Sequence, residues 1–243
     1  MPAALTANWI NPLLFSWPVD DAVLEPLLPP GLAIDHWQGR AYISLVGLRF
    51  EGLRVLGIPV VPCRYDEVNL RFYVRRPSDG ADARPGVVFI GQIVPHRLTA
   101  LAARVMYGEP FTVARTGHEF EGLEADESDS RRRIAYHWHN AGRRQRFWAE
   151  SGQTPTYANP GSSEEFLTAR YWGYNRKTGA GVRTYHLTRP IWPVRRASQW
   201  GIDCDFSEVG GGRLTEAMGK APASVLLATG SRAAVSLPVA LPG

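Results

Sequence analysis

From Tyr65 to Val74 polar and apolar side chains alternate with the period of a strand. Glu67, Asn69, Arg71 and Tyr73 fall on one face, and Val68, Leu70, Phe72 and Val74 on the other. The pattern predicts a strand whose apolar face backs onto a core. Its polar row of acid, amide, guanidinium and phenol either lines a cavity or faces water.

The rest of the chain gives shorter signals. Asp20 or Asp21 caps a short helix through Val23, Leu24, Leu27 and Leu28, stopped by Pro29-Pro30-Gly31. Residues 40–50 and 86–94 are mostly apolar and predict buried strands, with loops at 57–62 and 77–86. After Pro95, Leu98, Leu101, Ala102, Val105 and Met106 recur at helical spacing and predict a helix packed on the sheet, ended at Gly108 and Pro110. The acidic stretch 116–130 reads as a solvated connection. Residues 132–139 and 143–149 form hairpin arms around Asn140-Ala141-Gly142. Ser162-Ser163-Glu164-Glu165 has the capping-box spacing and predicts a helix carrying Phe166, Leu167, Tyr171 and Tyr174, ended by Gly179 and Gly181. Strands follow at 182–187 and 224–229, then a short run to Val239. These elements describe one domain over residues 1–243, with no internal repeat or heptad.

Composition narrows the chemistry. With 44% hydrophobic and 21% charged residues among 243, the chain has the balance of an ordinary globular protein, and 24 Gly with 19 Pro fit many turns. Cys63 and Cys204 are too few for a disulfide framework and are expected reduced. The N-terminus lacks a basic n-region, and no apolar run approaches the roughly 20 residues of a membrane span, so a cytoplasmic location without membrane contact is expected. Of 27 cationic residues only Lys177 and Lys220 are lysine. Arginine clamps carboxylates and phosphates but forms no imine.

Several motifs together resemble the YqjF-like family within the acetoacetate decarboxylase-like superfamily. They are Leu14-Phe15-Ser16-Trp17-Pro18-Val19, Leu27-Leu28-Pro29-Pro30-Gly31-Leu32, the Glu67 to Val74 strand, and Ala103-Arg104-Val105-Met106-Tyr107-Gly108-Glu109-Pro110-Phe111. Glu165-Phe166-Leu167 with Arg170-Tyr171, and Trp192-Pro193, fit as well. The resemblance implies an α+β fold: a mainly antiparallel sheet curled into a cone or barrel around a central cavity, with a few outer helices, assembled as a homo-oligomer. True decarboxylases attack with a lysine activated by a second lysine. The matching positions here are Phe111 and Thr112, so Schiff-base decarboxylation is not expected. Glu67 matches a glutamate of that site; its other carboxylate falls within 42–44, and its arginine near Ile10.

The leading expectation is therefore a cavity that binds a small polar or anionic metabolite, with Arg71 as clamp, Glu67, Asn69 and Tyr73 orienting the ligand, and Phe111 beside them. The competing reading is that Glu67 and Arg71 satisfy each other within a buried polar network. A non-imine enzyme of lyase or hydrolase type, with Glu67 as general acid or base, is the first functional alternative; His96 and His186 are the histidines weighed as its partner. A nucleic-acid or protein contact through the arginine-rich hairpin 131–148 is the second. The acids Glu119, Glu121, Glu124, Asp126, Glu127 and Asp129 precede that hairpin and offset it. His137 and His139 share a strand face without a third ligand, so no metal or other cofactor is expected.

Overall fold

The computed structural model describes residues 3–77, 84–122, 131–140, 142–176, 181–206 and 214–241. The chain opens with the long strand β1 (Ala3–Val19), then α1 (Asp21–Leu24) continued by a 3-10 turn, β2 (Ala33–Ile34), β3 (Ala41–Val55) and β4 (Ile58–Pro59). Next come β5 (Tyr65–Arg75), β6 (Gly86–Val94), α2 (Arg97–Tyr107), β7 (Phe111–Val113), β8 (Thr116–Glu121), β9 (Arg132–Asn140) and β10 (Arg143–Ser151). The remainder is α3 (Ser163–Thr168), β11 (Trp172–Arg176), β12 (Val182–Thr188), β13 (Val194–Arg196), β14 (Gln199–Asp203), β15 (Ser224–Ala228), β16 (Gly230–Ser236) and β17 (Val239–Leu241).

Seven strands close into a barrel in the order β1-β3-β5-β6-β11-β12-β16, with β16 returning to β1. Neighbouring barrel strands run antiparallel except β6 and β11. The shorter strands β2, β4, β7, β13, β15 and β17 extend its edges, while β14-β10-β9-β8 form a separate four-stranded sheet. Closure depends on a slip in β1. Its register against β3 shifts between Ile10 and Leu13, and there β1 leaves β16 and takes up β15. Asn11 sits at the slip with φ 47°, a left-handed conformation that Asn tolerates. The Tyr136 hydroxyl, reaching over from β9, donates to the carbonyls of Ile10 and Asn11 at 3.2 and 3.0 Å.

The period-two pattern of β5 explains the layering. Val68, Leu70, Phe72 and Val74 join Phe15, Ile43, Tyr136 and Phe147 in the core between the barrel wall and the four-stranded sheet. Leu14, Val46, Leu48 and Phe50, on the other side of β1 and β3, belong with Tyr65 and Tyr73 to the cluster around the barrel interior.

Most predicted elements form, with instructive departures. Most of the apolar stripe of α2 does not pack on the sheet: Leu98, Leu101 and Val105 are exposed and Met106 is partly buried, while among the helix residues whose burial is described Ala100 and Tyr107 are buried. Small Ala100 lets the helix backbone approach the barrel, which the larger residues would hold away. The Ser162 helix ends at Thr168 rather than near Gly179, because residues 172–176 pair with both β12 and β6 as a strand. Its cap holds, Ser162 Oγ accepting from the Glu165 amide at 3.3 Å. The segment read as a solvated connection contains β8, recruited by pairing with β9; residues 123–130, with Glu124, Asp126, Glu127 and Asp129, lie outside the described residues. Ile58–Pro59 adds a short pairing inside the 57–62 loop. Cys63 and Cys204 are free thiols. Among the described residues no helix is long and apolar enough to cross a membrane.

Candidate functional site

The barrel encloses a cavity of about 690 Å³. Its walls are largely aromatic and aliphatic, among them Trp9, Leu48, Phe50, Phe89, Trp172 and Trp192. Exposed Val61 and Leu98 are also lining residues and mark its mouth, between the β4–β5 loop and the start of α2.

Polar groups enter this apolar space from a few strands. β5 contributes Glu67, Asn69 and Arg71, all on the face that alternation assigns to them. Asn69 Nδ2 donates to Glu67 Oε1 at 3.0 Å, which leaves Asn69 Oδ1 buried and without a partner. Arg71 Nη2 donates to the Leu167 carbonyl at 3.3 Å, while its Nε is buried and unpartnered. Glu67 and Arg71 form no ion pair with one another, so the reading in which they satisfy each other along the strand is corrected. At about 3.3 Å of rise per residue their Cα atoms stand about 13 Å apart, with the Arg71 guanidinium 5.8 Å from the Tyr73 ring and its charge acting on Glu67 only at longer range. Tyr73 continues the same face but is fully buried beneath Phe166 and does not line the cavity. Its hydroxyl shares a 2.6 Å hydrogen bond with Ser44 and reaches the Leu167 carbonyl at 3.4 Å.

Facing β5 is a carboxyl group that sequence reasoning missed. Glu109 lines the cavity and is buried, with Gln92 Nε2 donating to its Oε2 at 2.7 Å, Asn175 Nδ2 to its Oε1 at 3.1 Å, and the Tyr185 hydroxyl also to Oε1. Gly108 ends α2 with φ 74°, and the Pro110 carbonyl accepts from the Gln92 amide at 2.9 Å, so the turn carrying Glu109 is held against β6. The one available signal was Gln92, an amide alone in an otherwise apolar strand, which demands a buried polar partner.

Burial dominates the electrostatics. It pushes Glu67 up to about 8, against the Asn69 hydrogen bond and the Arg71 charge and with help from the nearby Glu109 charge. Burial raises Glu109 as well, opposed by its three donors. Tyr107, buried and close to Glu109, is pushed up to about 12, and burial with the nearby Glu67 and Glu109 charges raises Tyr65 and Tyr185 well above the ordinary phenol value.

The other predicted residues are placed as follows. Phe111 is buried and lines the cavity, while Thr112 beside it is exposed. No lysine is among the described lining residues; Lys220 is exposed, and Lys177 lies outside the described residues. His96 lines the mouth, whereas His186 stacks on Trp172 at 4.7 Å outside the lining. Five of the hairpin arginines are engaged by acids, Arg131 and Arg133 by Glu150, Arg144 and Arg146 by Glu119, and Arg143 by Asp203, whereas Arg132 Nε is buried without a partner. Arg133 also lies 4.3 Å over the Trp148 ring. His137 faces Arg144 at 3.1 Å, and burial followed by that positive charge lowers its pKa. Among the described residues no group of three or more metal-ligating side chains converges.

The DUF2071 family, described as "Uncharacterized conserved protein (COG2071)", matches residues 6–232. The chain belongs to this family. It is 33% identical over 121 residues to the Uncharacterized protein YqjF of Bacillus subtilis (strain 168), a match over 49% of this chain and 48% of that relative, so the chain spans about half the relative's length. Among solved structures, the enduracididine biosynthesis enzyme MppR complexed with pyruvate is similar at TM-score 0.66 and 13% identity, over 100% of this chain and 91% of that one. An acetoacetate decarboxylase-like enzyme from Sphingomonas wittichii RW1 follows at 0.64 and 13%, covering 99% and 94%. The acetoacetate decarboxylase of Legionella pneumophila subsp. pneumophila str. Philadelphia 1 gives 0.63 and 13%, covering 99% and 88%. The DUF2071 chain thus has the acetoacetate decarboxylase-like fold, as its motifs implied.

Proposed function

We propose that the barrel cavity binds a small organic anion with an apolar body, held by Arg71 and oriented by Asn69 and Glu67, with Phe111 among the apolar contacts. The observation that carries this reading is the pair of unsatisfied buried groups on one strand face: the Arg71 Nε donor and the Asn69 Oδ1 acceptor. Buried polar atoms without partners are costly, and both atoms belong to side chains that line a cavity of ligand size. A neighbour of the same fold is complexed with pyruvate, which makes small carboxylic acids the first compounds to try. The test is thermal stabilisation by oxo-acids, hydroxy-acids, sugars and phosphates. An anion that stabilises the parent protein but not a folded Arg71→Ala variant supports the reading; equal stabilisation of both defeats it.

A second reading gives Glu67 a chemical role. Its carboxyl is held near 8, where an acid and its conjugate base are both present at working pH. Turnover of a bound compound that is lost in Glu67→Gln would support it. Imine chemistry is not part of either reading: borohydride treatment with oxo-acids is expected to leave the protein mass unchanged. The exposed Leu98, Leu101 and Val105 of α2 suit the homo-oligomer expectation, which sedimentation of the parent protein and a Leu101→Glu variant would check.

A further inference from the structure

The two ends of the β5 polar row ask for opposite charges. Arg71 offers a cation, whereas Glu67 and Glu109 bring two carboxyl groups into one cavity with no arginine, lysine or histidine within 4.0 Å of either among the described residues. The other titratable groups acting here are the phenols of Tyr65, Tyr107 and Tyr185 and, on Glu67 at longer range, the Arg71 guanidinium, with His96 out at the mouth.

Glu109 is arranged as a carboxylate. Three neutral donors occupy three of its roughly four lone-pair sites, which favours the ionised form. A buried negative charge in an aromatic cavity is unfavourable unless something positive neutralises it. An independent group points the same way. Asn69 is 3% exposed, its Nδ2 is committed to Glu67, and its Oδ1 is a buried acceptor with no donor. Glu67, Glu109 and Asn69 are therefore all acceptors in want of N–H groups. The rings of Phe50 and Tyr65, stacked on one another at 4.8 Å, line the same cavity.

We propose that the Glu67–Glu109 end of the cavity is a recognition site for a primary ammonium group, so that the preferred ligand is an amine with an apolar chain. The three N–H bonds of an ammonium match the three acceptors. The proposal rests on the reading of the cavity as a ligand site but does not depend on Arg71. Where both hold, the ligand is an ω-amino acid whose ammonium sits at Glu67 and Glu109 while its carboxylate reaches Arg71, and ε-aminocaproate is then expected to bind more tightly than either hexylamine or hexanoate. Entry of the ammonium favours loss of the Glu67 proton to solvent, the carboxylate left behind accepting an N–H of the ammonium; with the Arg71 charge also acting on Glu67, two carboxylates then face two cations.

The test is calorimetric titration at pH 7 with n-hexylamine, n-hexanol, hexanoate and ε-aminocaproate, in two buffers of different protonation enthalpy. Hexylamine is expected to bind at least tenfold more tightly than hexanol, with a proton released. Glu109→Gln and Glu67→Gln are each expected to lose that tenfold preference while retaining hexanoate binding. Two variants are needed because the new amide in Glu109→Gln meets the Gln92 donor, whereas Glu67→Gln keeps a carbonyl for Asn69. Hexylamine binding no tighter than hexanol, or an amine preference unchanged in both folded variants, overturns the proposal. Failure of hexanoate to bind counts instead against the Arg71 reading and leaves the amine comparison decisive.

Discussion

Gly173 lies directly opposite Tyr185 in the β11–β12 pairing, and its missing side chain is what allows the Tyr185 ring to lie across β11 and place its hydroxyl on Glu109. A Cβ at Gly173 would stand 2.1 Å from Tyr185 Cζ, closer than any real contact. Gly173→Ala should therefore swing the ring away, cost about 1–3 kcal/mol in chemical denaturation, and leave Glu109 with two of its three donors. If amines bind at this end of the cavity, the same substitution weakens them. A variant as stable as the parent would show that the ring has another way to settle.

The Glu67 carboxyl titrates at about 8 in the folded chain and at about 4.3 in an unfolded one. Between these values the native state keeps a proton that the unfolded state has lost. The stabilisation from neutral Glu67 is complete below the lower pKa and is lost as pH rises through the upper one. Glu67→Gln removes this slope. It is expected to exceed the parent in stability by up to about 5 kcal/mol at pH 9, with the gap closing towards pH 5, as measured by denaturant titration. A gap independent of pH would mean that Glu67 is not buried as an acid.

Tyr73→Phe separates packing from recognition. The hydroxyl bonds Ser44 and the Leu167 carbonyl and does not line the cavity. Its removal is expected to cost about 1 kcal/mol of stability and to leave ligand-induced stabilisation unchanged, whereas Asn69→Ala reduces that stabilisation. Loss of binding in Tyr73→Phe would restore the phenol to the ligand row.

Gly47 marks where the four-stranded sheet seats on the barrel. A Cβ there would meet the Tyr136 ring at 2.3 Å and Phe147 Cζ at 2.9 Å. Both rings are fully buried and part of the core between the two layers, so neither can yield cheaply. Gly47→Ala is predicted to lower stability by at least about 1–3 kcal/mol and to lengthen or break the Tyr136 bond to the Asn11 carbonyl. Near-ultraviolet circular dichroism together with a denaturation curve would register both.

The sequence carried those parts of the structure whose cause is local. β5, β6 and the β9–β10 hairpin follow from alternation, an apolar run and a turn. The helical period of α2 is equally local, but which side faces the barrel is decided by how near the backbone must come, and that selected Ala100 over Leu101. Residues 172–176 read as helix until two partner strands claim them. The candidate site divides in the same way. Glu67, Asn69 and Arg71 sit on one strand and could be read together, while Glu109, Gln92, Asn175 and Tyr185 come from a turn and three other strands. Nothing in their spacing announces that four separate segments meet.

The two faces of β5 set unequal terms for change along the family's history. One face is locked between layers by Val68, Leu70 and Phe72, and the other looks into open space. Deleting a single residue from this strand would exchange them, presenting aliphatic groups to the cavity and driving an acid and a guanidinium into the seam. Substitution at the cavity-lining positions of the other face keeps the strand's register and its seam intact. On the proposed reading of the cavity, ligand preference can diverge one residue at a time on a strand whose length is not free to vary.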